Sequence, residues 1–155
     1  MHSCTASFCT FSNSYIWQSL NRLGLKPQKS LKDVTSTFDS VPKQHVHHFV
    51  RGIFDGDGSV SIAHLNKNKN VAQPYMQFSG HESTLRRVRD LLCTECGVNF
   101  NALNLYASKG CSGSISWCGT RQVKRLFIWM YADATLFLNR KFNIFHGWYS
   151  SANRF

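Results

Sequence analysis

The segment "HHFVRGIFDGDGSVSI", His47 to Ile62, decides how the chain is read. Val46, just ahead of it, and then Phe49, Val50, Ile53 and Phe54 keep helical spacing, an amphipathic stripe. The closing "SVSI" alternates as a half-buried strand does. Between the two stands Asp55-Gly56-Asp57-Gly58. A helix C-terminus already carries partial negative charge from unpaired carbonyls, so carboxylates placed there cost free energy. Such a placement implies a positive partner at the helix end.

Working outward, Pro42 suits the first turn of the helix. After the motif, "SVSIAHLN" and "YMQFSG" are two expected strands separated by the loop "KNKNVAQP". "HESTLRRVRDLLCTECG" is expected to be a helix with Leu85, Val88, Leu91 and Leu92 inward and Gly97 as its stop. "VNFNALNLYAS" and "SGSISWCG" give two more strands. Thr120 is the expected N-cap of "RQVKRLFIWMYAD", whose stripe is Val123, Leu126, Phe127 and Met130. One further helix is expected in the aromatic, basic tail. The order from Pro42 is helix, strand, strand, helix, strand, strand, helix. This is an α+β layout, with helices on one face of an antiparallel sheet and the other face open.

Lys and Arg number 18 against 8 Asp and Glu, for a net charge of +10. A folded chain this basic repels itself unless a polyanion is its partner, nucleic acid first and an anionic membrane surface second. The positive residues are dispersed, as in "LRRVRD" and "TRQVKRL", which argues for a shaped basic face. No apolar run has membrane-spanning length, and "MHSCTASFCTF" lacks the basic start and apolar core of a signal peptide, so an intracellular, non-membrane protein is expected. Of the six cysteines, Cys93 and Cys96 form Cys-x-x-Cys, but the seven-residue step from Cys111 to Cys118 is poor for a zinc knuckle. Reduced, mostly buried thiols are the expectation. His45, His47 and His48 lack zinc-site spacing and are expected to be surface residues.

The stretch "VRGIFDGDG", Val50 to Gly58, resembles the signature of the LAGLIDADG homing endonucleases, and the αββαββα order that follows is similar to that family's half-domain. The resemblance covers roughly residues 45–150. It implies a saddle-shaped antiparallel sheet that binds double-stranded DNA, and metal-dependent hydrolysis of its phosphodiesters. Asp57 matches the catalytic metal-binding position, and the Gly56 carbonyl the matching backbone ligand. Asp55 looks like a helix-end structural residue. The implied metal is Mg²⁺ or another divalent cation, which prefers one or two carboxylates plus waters and phosphate oxygens. Glu82 and Arg86 fall where the family keeps water-ordering groups, although an acid at position 82 departs from the commoner amide. Lys141 matches the active-site lysine, with a plain phosphate anchor as the alternative. Alternation marks Ser61, Ala63, Lys67, Lys69, Gln73, Tyr75 and Gln77 as the DNA-facing set, and Asn99, Asn101, Asn104, Ser114 and Ser116 in the second strand pair. A register slip of one residue would swap the faces.

Gly52 and Gly56 share a helix face, and small residues at that spacing let two helices approach closely. In the family this helix packs on its twin from a second half-domain, so the expectation is either a homodimer through Gly52 and Gly56, with a near-palindromic target, or a remnant of a split or eroded gene. The domain spans 41–155. Residues 1–40 resemble the tail of a preceding half-domain: a short strand, a helix over about Ser14–Leu23 stopped at Gly24, and the connector "KDVTSTFDSVP". The function implied is a site-specific endonuclease making double-strand breaks. The alternative is an RNA-splicing maturase or a non-catalytic DNA-binding remnant on the same fold.

Overall fold

The computed structural model describes residues 10, 12–24, 35–64, 72–106 and 111–152. The order is α1 (Ser14–Arg22), α2 (Thr35–Asp39), α3 (Val46–Asp57), β1 (Ser59–His64), β2 (Ala72–His81), α4 (Glu82–Cys96), β3 (Asn104–Leu105), β4 (Ser112–Cys118), α5 (Thr120–Tyr131) and α6 (Asn139–Ala152). A single 3₁₀ turn, Lys43–His45, precedes α3, with Pro42 at its cap. All strand pairs are antiparallel, in the order β1-β2-β4-β3. The expected α+β layout with a four-stranded antiparallel sheet is the one observed.

Register separates the two sheet faces. Val60 pairs with Met76, Met76 with Trp117, and Phe78 with Ile115. These residues are buried beneath α3, α4 and α5, with Val50, Phe54, Leu85, Val88, Leu92, Val123, Leu126 and Met130. Leu91, expected inward, is only half-buried at the edge of this core. Helix α6 seals one end: Phe145 stacks on Phe127 at 3.8 Å between ring centroids.

Several helix ends follow from local chemistry. Asn13 accepts from the N–H groups of Tyr15 and Ile16 and starts α1. Gly97 takes a left-handed conformation, φ 58°, and its N–H donates to the Cys93 carbonyl, which closes α4 as expected. The cap of α5 differs from expectation. Gly119, at φ 88°, stands at the N-cap because its N–H donates to Pro74 O at 3.0 Å, and Thr120 becomes the first helical residue. Pro74, assigned to a loop, lies within β2.

Strand β3 is shorter than expected. Groups of the 98–103 stretch are bonded to side chains instead of a ladder: Gln122 Oε1 accepts from Asn99 N–H, and Trp117 Nε1 donates to Asn99 O. The segment taken as a connector contains α2, whose Phe38 is 5% exposed and packs edge-on against Phe49 at 4.9 Å. The anticipated strand near the N-terminus lies outside the described residues. Cys93 and Cys96 are half-buried, whereas Cys111 and Cys118 are exposed and all four are free, so the expectation of mostly buried thiols fails for the second pair. Burial pushes the Cys96 thiol up to about 12. No helix among the described residues is long and apolar enough to cross a membrane.

Candidate metal end and DNA-facing sheet

The acidic motif sits where α3 runs into β1. Gly58 N–H donates to Phe54 O at 2.8 Å and closes the last turn. A Cβ at Gly58 would lie 2.6 Å from that carbonyl oxygen and collide with the Phe54 ring, so only glycine fits. The two carboxylates then diverge. Asp55 accepts from Tyr131 Oη at 2.6 Å and from Leu138 N–H at 3.0 Å. It ties the end of α5 and the following loop to α3, a structural role. Burial and this hydrogen bond push the Tyr131 hydroxyl well above the ordinary tyrosine range. Asp57 is exposed, and its carboxylate has no hydrogen-bond partner among the described residues.

Lys141 supplies the positive charge that this helix end requires. Its side chain is buried, 3% exposed, and Nζ donates to Phe54 O at 2.5 Å and Asp55 O at 2.9 Å. A cation on terminal helix carbonyls offsets their partial negative charge. Burial lowers the Lys141 pKa, and Asp55 and Asp57 oppose that shift. The ammonium is committed to main-chain carbonyls. Glu82 and Arg86 are committed to each other: Arg86 Nε donates to Glu82 Oε1 at 2.8 Å across one turn of α4.

The Gly52 and Gly56 positions are both exposed, and a Cβ at either would meet nothing within 4 Å. This face of α3 is smooth and uncovered in the single chain.

The open sheet face is polar. Ser59 pairs with Gln77 and Gln77 with Ser116; Ser61 pairs with Tyr75 and Tyr75 with Cys118; Ala63 pairs with Gln73. Ser79, Ser114 and Asn104 form a further row. The structure therefore brings Ser61, Ala63, Gln73, Tyr75, Gln77, Asn104, Ser114 and Ser116 to one face. Ser114, in the middle of its row, is buried. Asn99 and Asn101 lie outside the ladder, and Asn101 Nδ2 donates to Ser116 O at 2.7 Å. Lys67 and Lys69 lie outside the described residues.

Sequence reasoning missed one polar cluster. His47 Nε2 lies 3.1 Å from Asp133, His48 Nε2 lies 3.9 Å from it, and the three side chains have metal-ligand spacing. Arg51 argues against a metal there. Its guanidinium, which only donates, lies 2.6 Å from His48 Nδ1 and also donates to Met130 O at 2.9 Å. That places the imidazole proton on Nε2, where a metal would need a lone pair. The group is a hydrogen-bonded latch between α3 and the loop after α5. No local pattern signals it, because Asp133 is 86 positions from His47.

No family model matches the sequence, and no curated protein matches it. Among solved structures, the chain is similar to the I-LtrWI LAGLIDADG homing endonuclease bound to target DNA, with a TM-score of 0.53 and 16% identity. The chain has the LAGLIDADG homing-endonuclease fold. The match covers 71% of this chain and 38% of I-LtrWI, so the chain spans well under half of that protein. The likeness to I-TnaI, a homing endonuclease, is weaker and carries no argument: TM-score 0.44, 14% identity, 63% of this chain and 65% of that one.

Proposed function

We propose that the chain is one half of a LAGLIDADG-family, site-specific DNA endonuclease that depends on a divalent cation. The observation carrying this reading is Asp57, an exposed carboxylate with no partner among the described residues, at a helix end whose other acid is already used. Asp57 and the Gly56 carbonyl are hard oxygen donors, and one carboxylate with a carbonyl, waters and phosphate oxygens suits Mg²⁺. The cation would activate water and stabilise the leaving oxygen of the phosphodiester.

The chain's own residues do the rest. The polar sheet face and the net charge of +10 hold double-stranded DNA. Lys141 fixes the helix end from behind, so that Asp57 projects from a rigid support. Glu82 and Arg86 offer a self-neutralised polar pair for ordering water. The uncovered Gly52–Gly56 face pairs with a second copy, which brings two Asp57 carboxylates together and makes a homodimer the active form.

The test is Asp57→Asn, assayed for cutting and binding of selected duplexes with Mg²⁺. Loss of cleavage with binding retained supports the reading. Equal cutting by wild type and variant would remove Asp57 from the mechanism.

A further inference from the structure

The middle of the open face holds a short hydrogen-bonded rail. Tyr75, Gln77 and Ser79 alternate along β2 onto that face. Tyr75 Oη donates to Gln77 Oε1 at 2.8 Å, and Gln77 Nε2 donates to Ser79 Oγ at 3.3 Å. We propose that Gln77 reads one adenine through a bidentate contact in the major groove, with its amide set in advance by Tyr75 and Ser79. This rests on the reading of the open face as a DNA-binding surface, and adds which side chain specifies which base.

The argument is geometric. The two partners lie two residues before and two residues after Gln77, so the amide is stretched along the strand, oxygen toward Tyr75 and nitrogen toward Ser79. A glutamine amide offers two lone pairs on oxygen and two hydrogens on nitrogen. The lateral bonds use one lone pair and one hydrogen. What remains is one lone pair on the oxygen and one N–H on the nitrogen, a free donor–acceptor edge. Adenine presents the complement in the major groove, the N6 amino hydrogen beside the N7 acceptor. Exchanging the two ends of the amide would reverse its direction but leave the same donor–acceptor edge free.

The surroundings suit that role. β2 is an inner strand of the sheet, and the residues opposite Gln77 are Ser59 and Ser116, both small. A base edge can therefore reach the amide across the neighbouring strands without meeting a tall side chain there. A glutamine already ordered loses less rotamer freedom on binding than a free one, so more of the contact energy appears as discrimination.

The experiment selects bound duplexes from a randomised library with wild type, Gln77→Ala and Tyr75→Phe, each checked for folding by thermal melting. Wild type is expected to select adenine at one position, or at a symmetric pair. Gln77→Ala should lose that preference there alone, roughly a 10-fold loss of discrimination against the other bases. Tyr75→Phe should keep adenine but with reduced contrast, because the contact survives and its orientation is loosened. If DNA is still selected and the Gln77→Ala profile matches wild type at every position, the adenine assignment is overturned. If wild type selects no duplex, the DNA-binding reading itself fails, and this inference falls with it.

Discussion

Lys141 Nζ lies 2.9 Å from the main-chain carbonyl of Asp55, 86 positions earlier in the chain. With the Phe54 carbonyl as its second acceptor, the lysine neutralises the helix end that carries both acids. Lys141→Met keeps the aliphatic length and removes the donors. It leaves the Asp55 carbonyl without its donor, while the Phe54 carbonyl keeps Gly58 N–H, a loss of about 1–3 kcal/mol. Urea denaturation should show a lower midpoint with an unchanged m-value. An unaltered midpoint would mean that the clamp contributes nothing.

The motif glycines should separate cleanly in mutagenesis. Gly58→Ala drives a methyl group into Phe54 and should cost about 1–3 kcal/mol. Gly52→Ala and Gly56→Ala meet open space, and helix propensity makes them neutral or stabilising by up to about 1 kcal/mol. Their effect should instead appear in sedimentation, as weaker self-association. Thermal melting that finds Gly56→Ala as damaging as Gly58→Ala would contradict the open α3 face.

The histidine latch predicts a pH dependence. The His48 pKa is lowered below 6.5 by burial, then by His47 and Arg51, with Asp133 opposing and His45 adding a smaller push downward. Between that lowered value and 6.5 the unfolded chain binds a proton that the folded chain does not. Stability therefore rises with pH across this window and is lost as pH falls below about 6.5. His48→Gln, which still accepts from Arg51, should flatten the slope of urea midpoints between pH 7.5 and 5. An unchanged slope would place the titration elsewhere.

Affinity for duplex DNA should fall steeply with salt. Six phosphate contacts would weaken binding on the order of 1,000-fold between about 50 and 200 mM. A flat dependence, measured by fluorescence anisotropy, would exclude a basic saddle.

Much of this was legible in sequence because it is local. The stripe from Val46 to Phe54 gave α3, Gly97 marked the end of α4, and alternation in β1 and β2 sorted Ser61, Tyr75 and Gln77 from Val60, Met76 and Phe78. The acids could be located but not told apart, since Tyr131 and Leu138 choose Asp55 from far along the chain. Phe38 was hidden for a related reason: one aromatic in a Ser/Thr-rich run shows its value only once Phe49 is beside it. The resemblance makes Lys141 an active-site lysine or a phosphate anchor, and only three dimensions reveal the carbonyls it meets.

The clamp also bears on how the chain acquires its shape during synthesis. Residues 46–57 carry their helical periodicity within one short stretch of chain. The acidic end cannot be finished when that stretch is translated, since Tyr131, Leu138 and Lys141 are not yet made. Contacts of such long sequence separation form late. A nascent chain thus keeps the Asp55 carboxylate unanchored until almost all of the described structure has been translated.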